Sequence, residues 1–232
     1  MDRVSGYGQF CPVAMAAEVL CTRWTPLIVR ELLCGSTRFN DLRRGVPRMS
    51  PTLLSKRLKE LEQAGIIETR PTGQSGIVAY HLTQAGQELR PLVMSLGTWG
   101  QRWVETQLSL KNLDPSLLMW DMRRKIDPSL LPEGRSTIRF HYPELRAADQ
   151  YYWLVIENRT VDVCSIDPGY EVDLFVECAL RTMTAIWMGV TNVRAELEAG
   201  RLDITGDRVL ARSMQQWLGG STFAKEKNRR AA

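Results

Sequence analysis

Hydroxyl-bearing and basic side chains cluster between positions 43 and 70, and their chemistry is that of hydrogen bonding and charge pairing. Ser50, Thr52 and Ser55 stand at the start of a predicted helix, and Lys56 and Lys59 follow on its outward side. Small hydroxyl groups at a helix start suit hydrogen bonds to base edges or phosphates, and lysines suit phosphates or guanine. Any surface helix also turns such residues outward. The neighbouring elements must therefore show whether this is a DNA-contacting helix or an ordinary solvent-exposed one.

Further candidates for the same surface flank this helix. Arg43 and Arg48 precede it, with Arg48 in a turn where it would meet the phosphate backbone, and Arg70 and Gln74 belong to a predicted hairpin that would lie beside the phosphates. The residues predicted to bind DNA are therefore Arg43, Arg48, Ser50, Thr52, Ser55, Lys56, Lys59, Arg70 and Gln74.

A helix, a turn and a second helix position these side chains. The first helix covers Arg38–Arg44 and ends at Gly45. The second begins at Ser50, a favourable N-cap, with Pro51 at the first helical position, where no backbone N–H is needed. Apolar side chains at helical spacing turn one side of this second helix toward a core: Leu54, Leu58 and Leu61.

Two strand-like segments follow the second helix, after Gly65 has closed it. They are Ile66–Arg70 and Ile77–Leu82, joined by a turn rich in Gly, Pro and Ser. Helix, turn, helix and hairpin within about 45 residues form a winged helix-turn-helix, which places one helix in the major groove of DNA.

The distribution of charge agrees with a polyanion-binding first half. The 232-residue chain carries a net charge of +4; residues 1–110 hold 13 basic and 9 acidic residues, whereas residues 111–232 hold 17 of each. A local basic excess is the electrostatic footprint of a nucleic-acid binder, although a solvated basic face gives the same count.

The residue types and motifs argue against several other classes of protein. Five cysteines at irregular spacing, without a CxxC pair, favour neither a disulfide framework nor a zinc site, so no metal or cofactor is predicted. The sequence has two histidines and lacks GxSxG, HExxH and a phosphate-binding glycine loop, so no catalytic residue is predicted and the chain is not expected to be an enzyme. Without a signal peptide or a membrane-length apolar run, we expect a cytoplasmic protein without membrane contact.

Helices surround the predicted motif on both sides. Pro12–Leu20 and Thr25–Cys34 have helical apolar spacing, with Leu27, Ile28, Leu32 and Leu33 as the buried stripe of the second. After the hairpin, Thr83–Gln107 is predicted as one long helix, with Pro91 and Gly97 as kink positions. Its apolar stripe indicates either a dimer interface, shared with the first helix, or packing within one chain: Leu89, Leu92, Val93, Leu96, Trp99, Trp103 and Val104.

Composition changes after residue 115, and the rest of the chain shows strands followed by helices. A short helix near 117–126 precedes period-2 runs at 137–142, 151–157, 161–166 and 172–176. Helices at 179–188 and 193–199, a strand at 201–205 and a helix at 207–218 follow. Segregated strands and helices indicate an α+β domain, and the polar tail from Lys225 is expected to be disordered.

Several segments of the first half carry a family resemblance when taken together. They are Cys11-Pro12, Arg23-Trp24-Thr25, Phe39-Asn40-Asp41-Leu42, Met49-Ser50 with the run 54–61, Gly65-Ile66-Ile67 and Tyr80-His81-Leu82-Thr83. Over about residues 9–107 the chain resembles the HxlR family of bacterial winged-helix regulators. The resemblance implies a homodimer through the first helix and the Thr83–Gln107 helix. Where family members commonly have Gly-Ile-Ser, Arg48-Met49-Ser50 stands here, and the arginine adds a candidate phosphate contact.

The resemblance also draws attention to Cys11, which matches a position that senses oxidants or electrophiles in some family members. A reactive thiol needs exposure and a lowered pKa. The alternative is a small buried apolar residue.

The second half resembles the sterol-carrier-protein type 2 fold over about residues 115–220. The resemblance rests on the run 202–207, Leu210-Ala211 and Trp217-Leu218, after a strand-rich meander. It implies an apolar ligand cavity, for which the candidate lining residues are Trp120, Trp153, Phe175, Met183, Trp187, Met214 and Trp217. Such residues at helical spacing are also typical of an ordinary core.

The sequence thus predicts an α+β protein with three regions: a winged helix-turn-helix domain over 1–110, a sterol-carrier-like domain over 111–224 and a tail over 225–232. We expect a dimeric transcription regulator that binds an inverted repeat in double-stranded DNA, with a hydrophobic small molecule as effector. The alternative is a carrier of lipids or other hydrophobic molecules with secondary DNA binding. Lipid extraction from the purified protein discriminates between the two.

Overall fold

The structure is a computed structural model that describes residues 6–73, 76–104 and 113–226. The chain divides into two compact units, Met1–Leu96 and Gly97–Ala232. The predicted domain boundary at residue 110 lies outside the described residues.

Three helices open the first unit and agree closely with the prediction. They are α1 (Pro12–Leu20), α2 (Thr25–Leu33) and α3 (Phe39–Gly45). Ile28, Val29 and Leu32 form the buried stripe of α2, whereas Leu27 is 40% exposed, so its predicted burial was wrong. Leu27 and Ile28 are adjacent and point about 100° apart on a helix, and only Ile28 faces the core.

Helix α4 (Pro51–Gln63) and a two-stranded antiparallel hairpin complete the motif. Leu54, Leu58 and Leu61 are buried, and Gly65 adopts a positive φ of 70° after the helix end, both as predicted. The strands are β1 (Ile67–Pro71) and β2 (Val78–Leu82), each one residue later at its start than expected. The apolar core of the unit comprises Ile28, Val29, Leu32, Leu42, Val46, Met49, Leu54, Leu58, Leu61 and Ile67.

A buried carboxylate connects α2 to the end of α3. Glu31 is fully buried, and its carboxylate lies 2.7 Å from an Nη atom of Arg30 and accepts a hydrogen bond from Ser36 Oγ at 3.4 Å. Arg30 also donates to the backbone oxygen of Gly45 at 3.1 Å. A buried charge is tolerated only when it is paired and hydrogen-bonded, as it is here.

The predicted long helix after the hairpin is two helices. Thr83 caps α5 (Gln84–Glu88), and α6 (Arg90–Trp103) follows after Leu89. Pro91 explains the break, because it has no N–H to donate to the preceding turn. The predicted continuation beyond Val104 lies outside the described residues.

The second unit contains a five-stranded mixed sheet. Its strands are β3 (Ser136–His141), β4 (Tyr151–Glu157), β5 (Thr160–Cys164), β6 (Leu174–Cys178) and β7 (Leu202–Gly206). The spatial order is β5-β4-β3-β6-β7; β3 and β6 are parallel, and the other neighbours are antiparallel. This confirms the α+β class of the second half, while the sterol-carrier-like identity stays a prediction.

Helices supply the rest of the second unit: α7 (Pro115–Arg123), α8 (Leu180–Trp187), α9 (Val193–Glu198) and α10 (Arg208–Leu218), with 3-10 turns at Pro128–Leu130 and Ala147–Asp149. Asp207 caps α10 by accepting from the N–H groups of Val209 and Leu210. Strand residues such as Ile138, Leu154 and Val176 pack into the same core as side chains from these helices.

The structure describes the segment after α10 as far as Glu226, so the tail predicted from Lys225 lies almost entirely outside the described residues and stays a prediction. Phe223 lies against Gly97 of α6, where an added Cβ would overlap its ring. The Glu226 carboxylate accepts a hydrogen bond from Arg102 Nε at 2.7 Å. Residues 227–232 lie outside the described part.

We expect Gly45→Ala to destabilise the first unit, because a Cβ at this position would overlap the buried Glu31 side chain. The expected loss in the free energy of unfolding is about 1–3 kcal/mol, typical of overpacking. Chemical denaturation monitored by hydrogen exchange of the backbone amides of α2 and α3 measures it in the first unit. Gly100→Ala is the control: its Cβ would meet open space, so the helix should gain up to about 1 kcal/mol. Equal effects of both changes would contradict the steric account.

Candidate nucleic-acid interface

The face of α4 opposite the leucines is polar and largely accessible. Thr52, Lys56 and Lys59 are exposed, whereas Ser55 is half-buried. A helix that buries one leucine face must turn the intervening residues outward. The structure therefore places four of the predicted contact residues along the outward side of one helix.

Ser50 has a structural role that limits its part in base contact. Its backbone is extended, and its Oγ accepts a hydrogen bond from the N–H of Leu53 at 3.3 Å. This satisfies one of the N–H groups that a helix start leaves without an intrahelical partner. The hydroxyl hydrogen of Ser50 is still available as a donor, so Ser50 can cap α4 and contact DNA together.

The two lysines of α4 differ in their surroundings. Lys56 Nζ lies 3.9 Å from Glu60, four residues later, and its side chain is 68% exposed. An exposed pair of this kind is worth well under about 1 kcal/mol, so it yields readily to a phosphate. Lys59 makes no ion pair within the described part of the chain. Arg57, by contrast, pairs with Glu60 and is mostly covered, with 18% of its side chain exposed.

The arginines around α4 differ in exposure and in the ion pairs that would compete with a phosphate. Arg43 and Arg48 are exposed, on α3 and in the turn before α4 respectively. Arg70 on β1 pairs with Glu68, and a phosphate must compete with that carboxylate. Gln74 lies outside the described residues. Arg38, at the start of α3, is also exposed and was not among the predicted contact residues.

Backbone and side-chain bonds hold the hairpin against the helices. The N–H of Tyr80 donates to the backbone oxygen of Thr37 at 2.8 Å, and Thr83 Oγ1 donates to the backbone oxygen of Gly65 at 2.6 Å. Burial raises the pKa of the Tyr80 hydroxyl, and the Glu62 carboxylate raises it further. The two hydrogen bonds tie the hairpin to the segment before α3 and to the turn that follows α4.

The cysteines fall into two groups by exposure. Cys11, Cys21 and Cys34 are exposed, so the buried alternative for Cys11 was wrong. Cys11 immediately precedes α1 as its N-cap. Burial raises the pKa of Cys178 to about 12, which makes that thiol unreactive. Redox sensing by Cys11 stays a prediction.

The seven predicted ligand-lining residues do not share one cavity. Met183, Trp187, Met214 and Trp217 are buried in the core of the second unit, where Trp217 Nε1 donates to the backbone oxygen of Leu210. Strand alternation places Trp153 and Phe175 on the opposite face of the sheet, because their neighbours Leu154 and Val176 face the core. Trp120 is buried beneath Arg123, whose guanidinium lies 4.1 Å from its ring centroid.

The described part of the chain lacks two features, a metal-holding cluster and a helix able to span a membrane. It contains no cluster of three or more His, Cys, Asp or Glu side chains arranged to hold a metal ion. Among the described helices, none combines the length and apolar character needed to cross a bilayer.

The fold and polar helix face of the first unit define a winged helix-turn-helix domain. A family described as HxlR-like helix-turn-helix matches residues 19–108. YvaP, an uncharacterized HTH-type transcriptional regulator of Bacillus subtilis (strain 168), is 34% identical over 99 residues, which are 42% of this chain and 92% of YvaP. The HTH-type transcriptional regulator YodB of the same organism is 33% identical over 97 residues, 41% of this chain and 87% of YodB. The solved structure of the reduced form of the redox regulator HypR is 32% identical, with a TM-score of 0.38, over 39% of this chain and 91% of that one.

The chain belongs to the HxlR family of helix-turn-helix transcriptional regulators. The matched span ends at residue 108, so family membership describes the first unit and the start of the second.

Capping and DNA contact by Ser50 can be separated by two substitutions. Ser50→Ala removes the acceptor for the Leu53 N–H, and we expect it to lower the free energy of unfolding by about 1 kcal/mol. Ser50→Asp keeps the cap and the stability but places a negative charge at the proposed DNA surface, so DNA affinity should fall. Denaturation and DNA titration of both variants measure this. Full stability in Ser50→Ala would show that the cap contributes nothing.

Proposed function

We propose that the protein is a sequence-specific DNA-binding transcription regulator that inserts α4 into the major groove of an inverted-repeat operator. The observation that carries the proposal is the division of α4 into a buried leucine face and an accessible face with Thr52, Lys56 and Lys59. Family membership over residues 19–108 supports it.

The proposed contacts divide into two kinds. Lys56, Lys59, Arg43 and Arg48 neutralise phosphates, which supplies most of the affinity and makes it fall steeply with salt. Thr52, with the free donor of Ser50, contacts base edges and contributes sequence preference. Lys59 carries no competing ion pair among the described residues, and Lys56 only a weak one. Both are therefore free to bind phosphate at little cost.

We propose that the regulator is a homodimer that uses the exposed face of α6. Leu92, Leu96, Trp99 and Trp103 are 43–58% exposed and recur at helical spacing, whereas Leu89 and Val93 pack against the first-unit core. Helix α1 likewise exposes Val13 and Met15, as well as Phe10 just before it. Large apolar side chains in a continuous exposed stripe mark an interaction surface, and a second copy offers the matching stripe.

We further propose that a hydrophobic small molecule acts through the core of the second unit. The support is a group of completely buried methionines: Met119, Met122, Met183 and Met214. Unbranched thioether side chains repack readily around a guest molecule. Such a ligand regulates DNA binding only if it binds the DNA-competent and incompetent forms with different affinity.

Replacing both Lys56 and Lys59 by alanine should weaken binding to any duplex. Removing two phosphate contacts lowers the slope of log affinity against log salt by about 2, since each contact contributes about 0.9. Titration of a random-sequence duplex at several salt concentrations measures this without knowledge of the operator.

A matched control removes two positive charges elsewhere. Arg208 and Arg212 are exposed on α10, and their double alanine variant has the same net charge as the lysine variant. We expect an almost unchanged salt slope for this control. Equal slopes for both variants would mean that net charge, and not the α4 face, determines DNA binding.

The dimer proposal predicts that Leu96→Glu combined with Trp99→Glu gives a monomer. Charges placed in an apolar interface must be desolvated on association, which opposes dimer formation. Sedimentation velocity of the parent and variant measures the oligomeric state. Val209→Glu, which charges an apolar residue that is 65% exposed on α10, should leave the dimer intact. A monomeric parent at tens of micromolar, or a dimeric variant, would contradict the proposal.

A further inference from the structure

The sheet of the second unit has a face opposite its core, here called the outer face, on which side chains form two rows across the strands. Strand register places Arg139 between Trp153 and Phe175 in the first row, and Thr205 lies beyond Phe175 on β7. The second row lies two residues further along and contains Tyr151, His141, Glu177 and Asp203. A rise of about 3.3 Å per residue separates the rows by roughly 7 Å.

The first row presents hydrogen-bond donors without acceptors. The Arg139 guanidinium lies over the rings of Phe175 and Tyr151, 4.6 and 5.4 Å from their centroids. Among the described residues it has no carboxylate partner, and its Nε is buried without an acceptor. The indole Nε1 of Trp153, directly across the β3–β4 pair, is likewise buried without an acceptor. Buried polar groups in proteins are nearly always paired, so these two donors indicate a missing acceptor.

The second row presents carboxylate acceptors that lack a donor between them. Glu177 Oε2 lies 2.8 Å from Nδ1 of His141, and Asp203 lies directly across from Glu177 in the β6–β7 pair. Two carboxylates facing each other across antiparallel strands repel. Asp203 has no hydrogen-bond donor or cation among the described residues, and it is exposed. A donor placed between these carboxylates would relieve their repulsion.

A depression of about 130 Å³ lies between the two rows, lined by Arg139, His141, Phe175, Glu177, Asp203 and Thr205. Its volume is close to that of cavities that bind benzene, about 150 Å³. Phe175 supplies an apolar ring, and the polar groups that converge at its two ends are of opposite charge. Most of the lining side chains are polar or charged, so hydrogen bonds and charge pairing, more than apolar burial, would hold and orient a ligand there.

We propose that this depression binds a small planar aromatic molecule that carries an acceptor at one end and a donor at the other. A carboxylate or carbonyl of the ligand accepts from Arg139, an amine or ring N–H donates to Asp203 and Glu177, and the ring packs against the part of Phe175 that Arg139 leaves uncovered. Because the charges of Arg139 and the carboxylates oppose each other, a simple anion or a simple cation fits only half of the site. The site consists of second-unit residues alone and does not rest on the proposed DNA binding.

The probe is 4-aminobenzoate, because it carries an acceptor and a donor at opposite ends of one ring. Isothermal titration of the full chain should give a Kd on the order of 0.1 to 1 mM, as expected for a ligand of about ten non-hydrogen atoms. Benzoate lacks the donor and aniline lacks the acceptor, and each should bind ~tenfold more weakly. Undetectable binding of 4-aminobenzoate, or equal affinity for all three compounds, would overturn the proposal.

Matched arginine variants locate the site. Arg139→Lys keeps the charge but loses the planar guanidinium, and it should weaken 4-aminobenzoate by ~tenfold. Arg135→Lys is the control, because Arg135 already pairs with Glu157 at 3.0 Å and lies over Tyr170, so affinity should stay unchanged. Equal losses in both variants would contradict the assignment of Arg139.

A second variant, Asp203→Asn, tests the site independently if Arg139→Lys disturbs the fold. Asp203→Asn changes an exposed side chain to one of equal size, so thermal unfolding should match the parent. It replaces a carboxylate by a neutral amide and leaves Glu177 as the charged acceptor, so the preference for 4-aminobenzoate over benzoate should become smaller than in the parent. A preference equal to that of the parent would show that the Asp203 carboxylate takes no part.

Discussion

Burial of the leucine face of α4 is the constraint on which the candidate function depends. Leu54, Leu58 and Leu61 are 0–2% exposed, and each fully buried leucine contributes about 1.5–3 kcal/mol relative to an exposed one. Because a helix has 3.6 residues per turn, fixing these three side chains in the core also fixes the direction of Thr52, Lys56 and Lys59. The same core, through Ile67, holds the hairpin beside the helix. The orientation of the polar face therefore follows from apolar packing.

Local signals in the first unit were sufficient to predict its elements, because they are punctuated by residues with definite backbone preferences. Ser50-Pro51 marks the start of α4, and the positive φ of Gly65 ends it. Errors arose where packing decides between equivalent local patterns. Leu27 has the same apolar character as Ile28 and yet is exposed. Pro91 was interpreted as a kink within one helix, whereas it lies in the first turn of a new helix that begins after Leu89. Ser50 was predicted both as the N-cap of α4 and as a DNA contact, and its capping bond confirms only the first of these.

The second unit shows a different limit of sequence reasoning. Alternation along Tyr151–Glu157 predicted that strand, residue for residue, but alternation alone does not say which face meets the helices. Trp153 and Phe175 were therefore grouped with Met183 and Trp217, although the sheet separates them. Nor does sequence reveal that β3 pairs in parallel with β6, the register that brings Arg139 beside Phe175 and His141 beside Glu177. The outer-face rows are a property of strand order, which depends on contacts between residues far apart in the chain.

Selection of bound duplexes from a random-sequence pool, by the full chain at fixed salt, tests the central claim most directly. A dimer that inserts two α4 helices should enrich an inverted repeat with half-sites centred about 10 base pairs apart. The enriched sequence should bind roughly a thousandfold more tightly than random duplex. An enriched pool without a shared motif, bound no more tightly than the starting pool, would contradict the assignment of the α4 face as a sequence-reading surface.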